Sequence, residues 1–514
     1  MKLCSLFLAL CSLTPALLYG AGNDSVATPE LLEHSLEEAR GWRLFNPALR
    51  DNPALAPWLR SYSIGSVAVG WVAERQSQPF IIELGDGDFK GVFDARAYIR
   101  SGKNILWGEA SYANGKSLNR RWNESSEFER LYPYLTADSA GGDLCHERYA
   151  FAGGYARDAG RLSWGVEGGY AATLAYRRVD PRPRIISGDL SLRAAIGLRL
   201  FADYRAALAL SFGKFRETSS ISFMSELGVS KIYHMTGLGS HYVRFDGTGM
   251  SVYNNCFSYG ASLDLAPESG CGGFFGVSLQ RTTQDHVIDD LNRLPMASLW
   301  HNALSGNAGW KQCLGRHALA GKASMEIYRR HGSEAIFGDS QSSTFPQIDA
   351  LEMYADNFHS EALEILYSFA APGWELEAAP FASLSHRRTI YRTPRRDRLI
   401  DTASAGLRLH ADGKLSSRWG LAGGCSAERR FSGDSHLFLP DNPAPDTEEY
   451  DLQETVRLDF ENMASAATAL KGNVTLSFLL NQKFVINLGG SISYISLDSG
   501  PHSLAWSALL SLSF

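Results

Sequence analysis

Beyond its amino-terminal segment this chain has no run of about 18 or more apolar residues, so no transmembrane helix crosses its body. An excess of charge is missing too: 49 Lys and Arg face 55 Asp and Glu, a net −6, and nothing in that balance points to nucleic acid. Cysteine is sparse. Of seven, two lie in the amino-terminal segment, leaving Cys145, Cys256, Cys271, Cys313 and Cys425, an odd number without CxxC or Cys/His metal spacing. An oxidising compartment would pair some of them. The 13 His residues form no HExxH and no Ser sits in a GxSxG. Ser240-His241 and Ser385-His386 are two-residue coincidences, so the expectation is a protein that is not an enzyme and holds no metal and no cofactor. What is present favours β structure: 49 Gly, 21 Tyr, 26 Phe and 11 Trp, with 45% hydrophobic and 20% charged residues excluding disorder.

The first residues, M-K-L-C-S-L-F-L-A-L-C-S-L-T-P-A-L-L-Y-G-A-G, place Lys2 before an apolar run and end at the small residues Gly20, Ala21 and Gly22. That is the form of a secretory signal peptide over residues 1–22, with the mature chain starting near Asn23. An exported chain without a transmembrane helix is either soluble or a barrel, because only helices and closed barrels satisfy their backbone inside lipid.

Period-two alternation selects the barrel. Leu162, Trp164, Val166, Tyr170, Leu174 and Tyr176 alternate with Arg161, Ser163, Glu167 and Thr173; Leu190, Leu192, Ala194, Ile196 and Leu198 alternate with Asp189, Ser191, Arg193 and Arg199. Such stretches fit tilted strands of ~9–11 residues with one face in lipid and one on a polar lumen. Short turns near 158–160, 202–204, 267–270, 313–315, 372–373, 412–414 and 481–482 alternate with longer loops, as periplasmic turns and extracellular loops must. The expected fold is all-β, a transmembrane antiparallel up-and-down barrel of about 18 strands (range about 16–20, even) over residues 61–514, with both termini in the periplasm. Strand starts are expected near 62, 88, 104, 145, 161, 187, 205, 250, 271, 297, 316, 357, 374, 398, 416, 467, 483 and 502. Residues 219–249 and 450–480 have room for an extra hairpin.

The last eleven residues, L-A-W-S-A-L-L-S-L-S-F, are apolar at Leu504, Trp506, Ala508, Leu510 and Leu512 and end on Phe514. This resembles the closing strand of Gram-negative outer-membrane β-barrels. The resemblance implies an outer-membrane location, an assembly signal in Phe514, Leu512 and Leu510, and the barrel assembly machinery as a partner. The chain also resembles uncharacterised outer-membrane barrel families, domains of unknown function. A receptor of about 22 strands with a large plug domain needs more chain than this.

Residues 23–60 are read as a periplasmic helix and a proline-rich segment. Thr28, Pro29, Leu32, Leu36 and Gly41 predict a helix over 29–40, lying close below the barrel. Pro47, Pro53 and Pro57 then exclude regular structure, and Leu49, Leu55 and Trp58 are candidates for a lumen plug. Asn-Pro-Ala at 46–48 and again at 52–54 resembles the plug segment of fatty-acid-transporter-like barrels.

One charged cluster stands out: Arg387, Arg388, Arg392, Arg395, Arg396 and Arg398, with a lesser one at Arg177, Arg178, Arg182 and Arg184. Strand parity puts both at the outer rim, where guanidinium groups are expected to contact lipopolysaccharide phosphates or to attract anions to the pore mouth. Outer-membrane lipid and lipopolysaccharide are thus the expected partners, and nucleic acid is not. The leading functional expectation is a channel or uptake barrel for a small substrate. The alternatives are a structural or docking subunit of a secretion or surface-assembly complex, and a barrel enzyme.

Overall fold

The computed structural model describes residues 31–514 except 202, 225–230, 248–249, 341–343, 441–442 and 446. The expected signal peptide and the first residues of the expected helix lie outside the described residues.

Eighteen antiparallel strands pair in chain order and the last returns to the first, closing the sheet. The first strand is Ile64–Gln76 and the eighteenth His502–Ser513, and they join along Val67–Leu512 and Val69–Leu510. Phe514 completes the seam. The Gly65 N–H donates to the Phe514 carbonyl at 2.7 Å, and the Phe514 N–H returns a bond to Gly65 at 2.9 Å. The Phe514 ring lies so close over Gly65 that a Cβ there would stand 2.4 Å from it, so this glycine is required for the close approach. Closure leaves no unpaired edge, which a wall in lipid requires.

The wall's outward face is the apolar one. Leu162, Val166 and Tyr170 of the fifth strand, Leu162–Tyr176, and Leu192, Ile196 and Leu198 of the sixth, Arg182–Phe201, are exposed on it, while Ser163 of the fifth strand is fully buried on the inner face. Strand starts fall within a few residues of expectation, with one large exception. The twelfth strand, Gln347–Ala371, begins ten residues before 357, because Gln347–Glu352 extends the hairpin with Ser333–Phe337 of the eleventh, His317–Phe337. That extension stands beyond the lipid band, where neither face needs to be apolar, so the alternation fades.

The suspected extra hairpins are not wall. Ile232–Gly237 pairs with Ser240–His241 and with Leu135–Asp138 in a separate three-stranded sheet. The 450–480 region, where an extra hairpin is expected, instead begins in a 17-residue helix, Glu448–Ala464. Its signals are present: Thr447 caps it by accepting from the Tyr450 N–H, acids fill the first turn, and Leu452 and Val456 are four apart. The amino-terminal helix Leu31–Glu37 lies against the inner wall rather than below the barrel, with Leu32 and Leu36 packed on Ala422 and Val485. A disulfide, Cys271–Cys313, links neighbouring strands at the periplasmic end, while Cys145, Cys256 and Cys425 are free.

The face assignment predicts an asymmetry. Arg at Val166 or Ile196 should cost ~2–4 kcal/mol at the membrane midplane, whereas Arg at the inward neighbours Glu167 and Ala195 should be tolerated better. Reversible unfolding of the barrel in lipid vesicles measures the difference.

Candidate functional site: the barrel lumen and the two layers that close it

Residues 31–62 make one circuit of the inner wall at its periplasmic end. Starting from the helix, Arg40 pairs bidentately with the buried Asp412 at 3.0 and 2.8 Å. The Gly41 and Trp42 N–H groups donate to Glu377 at 2.7 and 2.9 Å. Lys311 donates to the Trp42 carbonyl at 2.7 Å, and Lys322, paired with Glu364 at 3.0 Å, stands 4.6 Å over the Phe45 ring. Asn52 donates to Asp264 at 2.8 Å. Leu55 then packs with Ala207 and Ala266, Tyr98 donates to the Ala56 carbonyl at 2.8 Å, and Arg100 donates to the Pro57 and Arg60 carbonyls at 2.6 and 2.9 Å. The circuit closes on itself. Glu38 takes Arg43 and Arg60, both at 2.6 Å, and Tyr62 stacks on His34 with ring centroids 3.7 Å apart.

The local sequence explains this belt. Each Asn-Pro-Ala turns the chain by the same device: Asn46 Oδ1 accepts from the Ala48 N–H and Asn52 Oδ1 from the Ala54 N–H, both at 3.1 Å, while the prolines prevent a longer helix. Leu49 and Leu55 are buried against the inner wall, and Trp58 is half-buried with the Arg205 guanidinium 4.3 Å from its ring.

A second layer fills the extracellular mouth. It consists of residues 121–138, residues 231–247 and the helix Glu448–Ala464, packed into aromatic cores around Trp122 with Tyr233 and around Tyr134 with Phe245, Tyr354 and Tyr391. Here too charged wall residues bind peptide groups. Arg330 donates to the Glu129 carbonyl at 2.9 Å, Arg396 to Leu238 at 2.7 Å, and Arg430 to both Ser465 and Asn462 at 3.0 Å. Glu217 accepts from the Ser126 N–H at 2.9 Å.

Two buried acid clusters lie within this cap. Arg177 bridges Glu124 at 2.6 Å and Asp138 at 3.2 Å. Burial, helped by Asp138, pushes the Glu124 carboxyl well up. For Asp138 burial is outweighed by the hydrogen bond from Glu124 and by the Arg177 charge, which hold it below the usual carboxylate range. The second cluster joins Glu83, in the connection between the first two strands, to Asp459 on the cap helix, whose Oδ1 also accepts from the Ile82 N–H at 2.9 Å. Burial raises both carboxyls, and the neighbouring Asp459 raises Glu83 further.

Between belt and cap, along the sixth to eleventh strands, lie two cavities of about 220 and 340 Å³ that share Gln280. The lower touches the belt at Asp51 and carries Arg193, Ser262, Ser305 and Asn307; the upper touches the cap at Glu127, Glu129 and Arg130 and carries Thr282 and His301. The lining mixes hydroxyl, amide and charged groups with apolar ones, Phe215, Cys256 and Leu299 among them in the upper cavity.

The arginines of the sequence cluster are divided between the two faces of the wall. Arg387 points inward to the buried Asp356 at 2.9 Å, and Arg396 and Arg398 are inward and buried beneath the cap. Arg388 and Arg395 point outward and share Asp397 at 2.8 and 3.3 Å, and Arg392 pairs with Glu352. Of the lesser cluster, Arg177 is in the cap's buried network, Arg182 pairs with Asp180 at 2.7 Å, Arg178 stands 5.8 Å over the Tyr176 ring, and Arg184 is exposed. Six arginines in thirteen residues therefore do not form one patch. Ser385 and His386 also face opposite sides, bonding Thr402 at 2.8 Å and Asp401 at 2.6 Å. The partners Asp356, Asp264, Glu377 and Asp412 are not among the residues expected from the sequence; the signal that marks them is an acid at inward parity, near a strand end for the last three.

The chain belongs to a family of unknown function (DUF6850), whose model matches residues 53–514. No curated protein matches it by sequence. Among solved structures it is similar to a ferric enterobactin receptor (PfeA) mutant from Pseudomonas aeruginosa, at 7% identity over 88% of this chain and 81% of that one, with a TM-score of 0.37. It is also similar to the copper transporter OprC, at 9% identity over 88% and 82% with a TM-score of 0.39. A third is the ferric-catecholate import receptor Fiu from E. coli K12, at 8% identity over 90% and 82% with a TM-score of 0.36.

Two outcomes follow from these networks. Arg40→Ala strands a buried Asp412 and should cost ~3–5 kcal/mol locally, against much less for Arg40→Ala with Asp412→Ala; hydrogen exchange of the belt amides reads both. Because the native Glu83–Asp459 pair binds more protons than the unfolded chain, its stabilisation is present at low pH and lost as pH rises through the raised native values. Exchange in the helix Glu448–Ala464 should therefore quicken with pH beyond the intrinsic rate; Glu83→Gln should weaken that dependence, and Glu83→Gln with Asp459→Asn should abolish it.

Proposed function

For this member of a family of unknown function, we propose that the outer-membrane barrel is an uptake channel for a small polar solute, closed at rest by the belt below and the cap above. The observation that carries it is the pair of cavities, each with hydroxyl, amide and charged groups in its lining, between two layers that are hydrogen-bonded to the wall rather than built into it. Passage requires those bonds to be exchanged for water. Each net hydrogen bond contributes ~0.5–1.5 kcal/mol, and ~1.5–3 when one group is charged, so a layer held by several is stable and still reversible.

The belt is the more readily displaced layer. Its apolar contacts are small and scattered, Leu32 with Val485, Phe45 with Phe274 and Leu55 with Ala207, whereas the cap is sealed by a large aromatic core. Hydroxyl and amide groups in the cavities suit a solute that forms many neutral hydrogen bonds, with Arg193, Asp189 and Arg330 able to orient polar ends. Export by an amino-terminal signal and residence in a Gram-negative envelope belong to the same reading.

Deleting residues 23–58 should convert a poorly conducting barrel into an open one in planar bilayers. Identical single-channel conductance before and after the deletion would overturn the belt's role as a closure.

A further inference from the structure

The outward face carries a girdle of cations just above the lipid band, and around most of the circumference each is already neutralised. Arg75 pairs with Asp86 at 3.2 Å, Lys116 with Asp143 at 2.6 Å, Arg388 with Asp397 at 2.8 Å and Arg429 with Asp498 at 2.6 Å. The sector from the sixth to the eleventh strand is different. It includes the seventh, Tyr204–Ser222, the ninth, Gly272–Ile288, and the tenth, Leu294–Leu314.

Five exposed cations stand on that sector: Arg184, Lys214, Arg216, Arg281 and Arg329. Parity fixes their direction, since each shares a face with exposed apolar residues of its own strand: Ile186 and Leu192, Leu210 and Phe212, Phe275 and Leu279, Leu319 and Met325. Among the described residues none of the five has a carboxylate partner. Lys214 and Arg216 meet only aromatic rings, 5.2 Å over Phe257 and 4.9 Å over Tyr253. Arg281, Asn302 and Arg329 stand opposite one another on consecutive strands, which spaces the two guanidinium groups by roughly 10 Å at their bases. Directly below them Leu279, Leu304 and Ile327 continue the apolar face, so these polar side chains are the first above it. Asp285 is the single outward carboxylate on these six strands above the band.

We propose that this sector binds the phosphate groups of outer-leaflet lipid headgroups, holding phosphorylated lipid against the wall from the sixth to the eleventh strand. The chemistry is that of charge-assisted hydrogen bonds from donor-only cations to anionic oxygens, with Asn302 between the two arginines and the indole of Trp300 in the next outward row as further donors. A lipid seated there lays its acyl chains on Leu279, Leu304 and Ile327 while its phosphates neutralise groups that the protein leaves unmatched. The 387–398 stretch is not part of this surface, because its outward guanidinium groups are taken by Asp397 and Glu352.

The test uses the full-length barrel purified from its own membrane in mild non-ionic detergent, with retained lipopolysaccharide counted per barrel by organic phosphorus and native mass spectrometry. The variant carrying Arg184→Gln, Lys214→Gln, Arg216→Gln, Arg281→Gln and Arg329→Gln should retain roughly fivefold less, whereas Arg75→Gln with Arg429→Gln, on the paired part of the girdle, should change little. Equal retention by the fivefold variant and the native protein would overturn the proposal, and so would an equal loss in the control. A second arm needs no variant. Delipidated native barrel should rebind lipopolysaccharide with its phosphates intact, weakly after phosphatase treatment, and less tightly as salt rises. Indifference to the phosphates would show that acyl contact alone holds the lipid, and the proposal would fail.

Discussion

Charged side chains of the inner wall, bonded to peptide groups, hold the interior of this barrel together. Lys311, Arg100, Arg330, Arg396 and Arg430 donate to carbonyls, and Glu377 and Glu217 accept from N–H groups. A peptide group carries both a donor and an acceptor, so one strand of loop satisfies wall charges of either sign. The benefit is mutual. Non-helical backbone within a barrel lacks ladder partners, and unpaired peptide groups away from water are costly. Wide barrels leave room for such segments, and here the wall's charges make them orderly.

Several acids of the inner wall are matched by cations. Asp412 is spent on Arg40, Glu364 on Lys322 and Asp356 on Arg387. The layers differ in how they are held. The cap adds an aromatic core to its polar bonds, while the belt depends mainly on wall contacts and on its own clasp at Glu38, where Arg43, Arg60 and Tyr62 converge. A belt that closes on itself can open at one place without the wall being disturbed, because no barrel strand takes part in the clasp.

Inside and outside obey different electrostatic rules although they are separated by one strand's thickness. Inward cations find carbonyls of the belt and cap, as Lys311 and Arg396 do, or carboxylates of the wall, as Lys322 and Arg387 do. Outward cations have only their neighbours on the girdle, and the sixth to eleventh strands present five exposed cations without a carboxylate partner and one outward carboxylate, Asp285, above the band. That asymmetry lies in the protein itself, so its counter-charge must come from the membrane or the solvent.

Much of the wall was legible from the chain because strand geometry is local. A period of two puts Val166 and Ile196 on one face and Glu167 and Ala195 on the other whatever the strand's partners are, and alternating short and long connections set the number of strands at eighteen. The closing strand and its terminal Phe514 were legible for the same reason. The site was not. Parity sends Arg387 and Arg388 to opposite faces, and their partners Asp356 and Asp397 come from 31 and 9 residues away. The belt's anchors are more distant still, with Arg40 meeting Asp412 across 372 residues. Composition and spacing therefore determined the barrel, its faces and its seam, while only the closed tertiary structure decided which charges meet, because curling the sheet on itself brings together positions whose separation along the chain carries no trace of their contact.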